Sequence, residues 1–124
     1  MTPLLIIADD NAHMRWLVRT TFRKTFDDVL EASDGRELFW HLVRCSRTRA
    51  ASEVFVITDI RMPTYSGLEV LAAYDDLAYH PRTVVISSFP DADAYACTER
   101  AGGVLLPKPF ATAELRRVVD DRLR

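Results

Sequence analysis

Five polar side chains stand where apolar runs of the sequence stop. Asp9 and Asp10 follow directly on Leu4-Leu5-Ile6-Ile7-Ala8, Asp59 follows residues 54–58, Ser87 closes residues 83–87, and Lys108 comes just after residues 104–106. Three carboxylates gathered in one place repel one another. A hard divalent cation relieves that repulsion. Mg2+ takes oxygen ligands octahedrally and keeps several waters, so one or two carboxylates plus a phosphoryl oxygen satisfy it. A lysine ammonium is a compact charge that can reach a phosphoryl oxygen or Asp59 itself. The Ser87 hydroxyl adds a hydrogen-bond donor. In-line positioning and charge neutralisation are most of what phosphoryl transfer requires, and these residue types supply both.

The chemistry depends on elements that bring the five together. The apolar runs have strand length, end in turn signals and are apolar on consecutive residues, as parallel strands buried on both faces are. Residues 29–32 are a weaker strand candidate. Helical spacing lies between the runs: Met14, Leu17, Val18, Thr21 and Phe22, with Asp10 or Asn11 as N-cap; Leu38, Leu42 and Val43 after Asp34-Gly35; and Leu68, Leu71 and Ala72 after Ser66 or Gly67. A fourth helix is capped by Asp91 and ends at Gly102-Gly103. A fifth starts near Thr112, whose hydroxyl can cap it, and turns Leu115, Val118, Val119 and Leu123 inward. Residues 44–52, rich in Arg, Ser, Thr and Ala, read as an extended helix end or an exposed loop. The order is (βα)5. Right-handed crossovers then require a doubly wound α/β fold, a parallel five-stranded sheet with helices on both faces. Ligands of such sheets bind beyond the C-terminal strand ends, where strand order reverses. Asp9, Asp10, Asp59, Ser87 and Lys108 all fall at strand C-termini.

The bulk properties narrow the class. The 124 residues suit one domain spanning 1–124, and 48% hydrophobic with 27% charged residues excludes a disordered chain. The basic set is fourteen Arg and two Lys without a dense stripe, so nucleic acid is not expected as a partner. No apolar run is long enough to cross a membrane, and the N-terminus lacks a basic leader, so a cytoplasmic protein is expected. Cys45 and Cys97 have no metal-ligand spacing and read as small, wholly or partly buried helix residues. His13, His41 and His80 are scattered and read as surface residues. Trp16 and Trp40 sit among helical residues and carry no ligand signal.

Four segments in order carry a resemblance. Ile7-Ala8-Asp9-Asp10-Asn11, then Thr58-Asp59-Ile60-Arg61-Met62-Pro63 with Ser66-Gly67-Leu68-Glu69, then Val84-Val85-Ile86-Ser87-Ser88, then Leu106-Pro107-Lys108-Pro109-Phe110 resemble the receiver domains of bacterial two-component response regulators. Each piece is weak alone, but four ending four successive strands span the whole chain. The resemblance implies a flavodoxin-like strand order 2-1-3-4-5, which the handedness rules alone do not give. It implies that Asp59 accepts phosphate from a sensor histidine kinase or a histidine phosphotransfer protein. It implies Mg2+ held directly by Asp10, Asp59 and the Arg61 carbonyl, with Asp9 acting through a metal-bound water. Ser87 and Lys108 would then meet the phosphoryl group, and the Lys108-Pro109 bond would be cis. A downstream protein partner, and possible homodimers, come with the family.

Other readings fit less well. A haloacid-dehalogenase-type phosphatase needs a second Asp where Arg61 stands. A flavodoxin-like nucleotide binder needs a hydroxyl- or glycine-rich loop after the first strand, where Asp9-Asp10 would repel phosphate. A pseudo-receiver that only docks partners is the remaining alternative, and intact Asp10, Asp59, Ser87 and Lys108 argue against it. Three departures from the family pattern stand out. Leu105 occupies the position, three before the lysine, that is usually Tyr or Phe. The turn from Gly102 to Lys108 is a residue short. The stretch from Gly35 to Asp59 is several residues long, as an insertion at residues 44–52 would make it. With no linker or output domain after Arg124, a stand-alone receiver is expected.

Overall fold

The computed structural model describes residues 3–124. Five strands alternate with five helices: β1 (Leu4–Ala8), α1 (Ala12–Phe22), β2 (Asp28–Ala32), α2 (Gly35–Thr48), β3 (Val54–Asp59), α3 (Gly67–Leu77), β4 (Arg82–Ser87), α4 (Ala92–Arg100), β5 (Val104–Pro107) and α5 (Thr112–Leu123). The strands form one parallel sheet in the order β2-β1-β3-β4-β5. Every residue of β1 and β3 is buried, as the apolar runs 4–8 and 54–57 require, whereas the edge strand β2 alternates between exposed and covered positions.

Strand alternation divides the interior into two layers. Leu4, Ile6, Ala8, Val54, Val56 and Val85 pack with Leu38, Leu42, Val70, Leu71 and Tyr74 under α2 and α3. Leu5, Ile7, Phe55, Ile57, Val84 and Ile86 pack with Val18, Phe22, Leu115 and Val119 under α1 and α5. Each fully buried side chain of this size contributes roughly 1.5–3 kcal/mol. The buried Tyr74 hydroxyl meets the Thr83 hydroxyl at 2.9 Å, so its polar tip is satisfied, and burial raises its pKa.

Caps fix the helix starts. Asn11, rather than Asp10, caps α1 by accepting the His13 and Met14 amides. Asp34 caps α2, Asp91 caps α4, and Ser66 with Glu69 makes a reciprocal capping box on α3. Two local expectations fail. Thr112 is the first residue of α5 rather than its cap; Ala111 holds the cap position without a side-chain bond. In α3 the buried residues are Gly67, Val70, Leu71 and Tyr74, while Ala72 is exposed. Tyr74, a much larger apolar body than Ala72, sets the phase of that helix. Of the two options for residues 44–52, the helix end is the one formed: α2 runs to Thr48, and a single 3-10 turn at Ala51–Glu53 leads into β3. Cys45 is buried and Cys97 half-buried, both as free thiols. His13 and His80 are exposed; His41 is half-buried, its Nε2 lying 3.0 Å from the Glu31 carbonyl.

Candidate functional site

Strand order reverses between β1 and β3, and the site lies at their C-terminal ends. Ala8 pairs with Thr58, so the residues that follow, Asp9 and Asp59, stand side by side at this edge of the sheet. Asp59 ends β3 opposite Ile86, and Lys108 is tied to β4 by its amide, which donates to the Ser87 carbonyl at 2.7 Å. The Lys108-Pro109 peptide bond is cis.

The charged groups meet there. Lys108 Nζ donates to Asp59 Oδ2 at 3.2 Å and stands 3.8 Å from Asp9 Oδ2. Carboxylate oxygens of Asp9, Asp10 and Asp59 lie within 4.8 Å of one another. Asp9 is buried, Asp59 nearly so, and Asp10 is exposed. One lysine against three carboxylates leaves negative charge in excess. Burial is the main reason the Asp9 carboxyl titrates high, at about 6; the Asn11 amide opposes this, while the Asp59 carboxylate adds to it. An oxygen-only donor set with surplus negative charge fits a hard divalent cation.

Backbone amides aim the carboxylates. Asp9 Oδ1 accepts the Asn11 amide at 2.9 Å, and Asp59 Oδ1 accepts the Ile60 amide at 2.7 Å. The loop after Asp59 folds back closely. Gly67 donates to the Ile60 carbonyl at 2.7 Å, and a Cβ on Gly67 would lie 2.2 Å from the Asp59 carbonyl oxygen. Asp10 shares a shallow hollow with Ile60, Arg61, Met62, Pro63 and Ser66, which brings Arg61 beside one of the three carboxylates. The Arg61 guanidinium reaches across to the opposite loop and stacks 5.3 Å above the Phe89 ring.

The structure thus gathers Asp9, Asp10, Asp59 and Lys108. The Ser87 hydroxyl is buried at the end of β4, but its hydrogen bond is with the Phe89 amide, at 3.3 Å. One supporting group is absent from the sequence reading. Arg15 donates through Nη1 to the Asp9 carbonyl at 2.7 Å and through Nε to Glu31 at 3.1 Å, while Arg19 takes the other Glu31 oxygen at 2.8 Å. Two arginines four apart on α1, facing a lone Glu on an edge strand, are the signal that could have found it.

The response regulator receiver domain family matches residues 5–120. The chain belongs to that family. This receiver is 30% identical over 123 residues to a chemotaxis protein CheY homolog of Campylobacter jejuni, covering 96% of this chain and 91% of the relative. It is 27% identical to chemotaxis protein CheY1 of Helicobacter pylori, with 94% and 93% covered. Its backbone is similar to a Borrelia burgdorferi structure solved as a CheX–CheY–BeF3–Mg2+ complex, with a TM-score of 0.82, 20% identity, and 96% and 87% covered. At that identity the likeness shows the fold. No helix among the described residues is long and apolar enough to cross a membrane.

Proposed function

We propose that Asp59 is the phosphoacceptor of a two-component phosphorelay. An Asp59 carboxylate oxygen attacks phosphorus, the P–N bond to the donor histidine of a kinase or phosphotransfer protein breaks, and an acyl phosphate results. The imidazole leaves with the bond's electron pair. The observation that carries this reading is Lys108 Nζ standing between Asp59 and Asp9 at 3.2 and 3.8 Å, inside a cluster of three carboxylates. Lys108 neutralises charge on the transferred group, and the Ile60 amide holds Asp59 in place. The Ser87 hydroxyl exchanges its Phe89 amide partner for a phosphoryl oxygen. Asp10, Asp59 and the Arg61 carbonyl would hold Mg2+, with Asp9 reaching it through water; bound there, the ion offsets the negative charge of carboxylates and phosphoryl oxygens. The Borrelia complex contains BeF3 and Mg2+, which supports a divalent cation and a phosphoryl group at such a site by analogy. The receiver acts as one domain over residues 1–124, in the cytoplasm, and assists its own phosphorylation and dephosphorylation without being an enzyme on an external substrate. Phosphorylation alters its binding to a downstream protein or to a second copy.

Incubation with Mg2+ and acetyl phosphate, read by intact mass, tests the assignment. The parent gains one phosphoryl group and Asp59→Asn gains none, because an amide oxygen is a poor nucleophile. Full labelling of Asp59→Asn would overturn the assignment. An unlabelled parent would favour the phosphorylation-independent docking module.

A further inference from the structure

The outer face of α2 carries a feature that phosphate chemistry does not use. Arg36, Trp40, Arg44 and Arg47 recur at helical spacing and all are exposed, Trp40 by 55%. Beside them Phe39 is half-buried and Tyr65, from the loop between β3 and α3, is 47% exposed. Arg36, Phe39, Trp40, Thr64 and Tyr65 enclose an open hollow of about 440 Å3. Among the described residues, none of Arg36, Arg44 and Arg47 has a carboxylate in ion-pair range. The one acidic residue within α2, Glu37, is spent on the Ser33 amide and hydroxyl.

The hollow is held in shape. Thr64 adopts a left-handed backbone, with φ of 67°, and its hydroxyl accepts the Arg36 amide at 3.2 Å. Gly35 donates to the Pro63 carbonyl, and a Cβ on Gly35 would lie 1.9 Å from the Tyr65 carbonyl oxygen. The glycine lets the loop sit directly on the helix start, which fixes Tyr65 beside Trp40. A site that needs no rearrangement loses little affinity to ordering.

We infer that this face of α2 docks an acidic amphipathic helix of a partner protein, whose apolar side chain fills the Trp40–Tyr65 hollow while its carboxylates meet Arg36, Arg44 and Arg47. Charge selects this occupant. The chain as a whole is net −2, yet this face presents three unpaired guanidinium groups around two aromatic rings. Trp, Tyr and Arg are the side chains that dominate protein–protein contacts. A nucleic-acid surface calls for a basic domain with lysines, whereas this one has a pI near 5.9 and no lysine in α2. Arg36 to Arg47 spans about 16 Å along the helix, the length of three turns of a partner. The inference stands independently of phosphorylation at Asp59.

The probe is a synthetic peptide of roughly 14 residues, about 21 Å as a helix. It has Glu on one face and Leu and Phe on the other, with a Gln-for-Glu counterpart as control. Titration into the 15N-labelled full chain at low ionic strength is expected to shift amides of α2 and of Thr64–Tyr65. Arg44→Glu with Arg47→Glu should weaken binding at least about tenfold, and Trp40→Ala by about as much. The exposed α4 control Arg100→Glu should leave it unchanged. All these side chains are on the surface, and the same spectra report whether each variant is folded. Shifts centred elsewhere, equal binding of the Gln peptide, or equal loss in Arg100→Glu would overturn the inference. So would tighter binding of α2 to a single-stranded oligonucleotide or anionic vesicles, or a dimer that Trp40→Ala dissolves.

Discussion

Asp9→Asn should make the metal-free protein more stable at neutral pH. The Asp9 carboxyl is buried and titrates at about 6, against 3.8 when unperturbed. Each pH unit of such separation is worth about 1.4 kcal/mol, so holding this group ionised costs the folded state up to about 3 kcal/mol. The sign follows from proton binding. Between pH 4 and 6 the folded state holds a proton that the unfolded chain has released, so Asp9's contribution to stability falls as pH rises through that window and is flat above it. An asparagine keeps the bond from the Asn11 amide but loses the attraction to Lys108 at 3.8 Å. The expected net gain is about 1–2 kcal/mol at pH 7.5, closing toward zero at pH 4. Urea unfolding of parent and variant in EDTA across this range measures it. Added Mg2+ should reverse the order, because a cation bound only by the folded parent stabilises it by mass action. Equal stability at pH 7.5 in EDTA, or a gain that persists undiminished at pH 4, would refute the reasoning.

Gly67→Ala should cost roughly 1–3 kcal/mol, since its Cβ would stand 2.2 Å from the Asp59 carbonyl oxygen; a stability within a few tenths of the parent's, measured by urea unfolding, would show that the loop yields freely. Phe89→Ala removes the ring beneath the Arg61 guanidinium and should open the acyl phosphate proposed at Asp59 to water, speeding its loss in a phosphate-release assay; an unchanged or slower rate would count against shielding. Leu105 is half-buried against the layer under α2 and α3 and has no hydroxyl to redirect. Amide exchange with and without BeF3 should therefore change mainly across residues 88–94, and protection centred on Leu105 with that loop silent would rule out this route.

Much of the site was legible because a buried parallel strand advertises itself. Residues 4–8 and 54–57 are apolar without interruption, with only the buried Thr58 before Asp59, and the carboxylates that follow, Asp9 and Asp59, stand at the C-terminal edge of the sheet. Strand order came from family resemblance, since hydrophobic pattern alone does not rank neighbours. What stayed hidden depends on three-dimensional proximity. The Arg15–Glu31–Arg19 bracket joins α1 to β2, 16 and 12 residues apart. The closeness of Gly67 to Asp59 is set by the return of a loop. In α3, Leu68 and Ala72 make an equally good stripe in the sequence, whereas the Thr83 hydroxyl across the layer makes Tyr74 an inward residue. The Thr112 cap failed for the opposite reason: a residue able to cap is not obliged to occupy the cap position.

The two-layered interior has a bearing on how this receiver can vary. Continued along β3, the row Phe55 and Ile57 leads to Asp59; along β4, the row Thr83 and Val85 leads to Ser87. The Asp59 carboxylate therefore ends a row rooted under α1 and α5, and the Ser87 hydroxyl ends one rooted under α2 and α3, where Leu105 also packs. The two layers share the sheet backbone and little else, so paired substitutions drawn one from each should combine additively. Drift in one layer can retune the Asp59 end while the other reshapes the Ser87 and Leu105 side, and on the proposed function a phosphoryl group spanning Asp59 and Ser87 would be the stitch that makes them answer together.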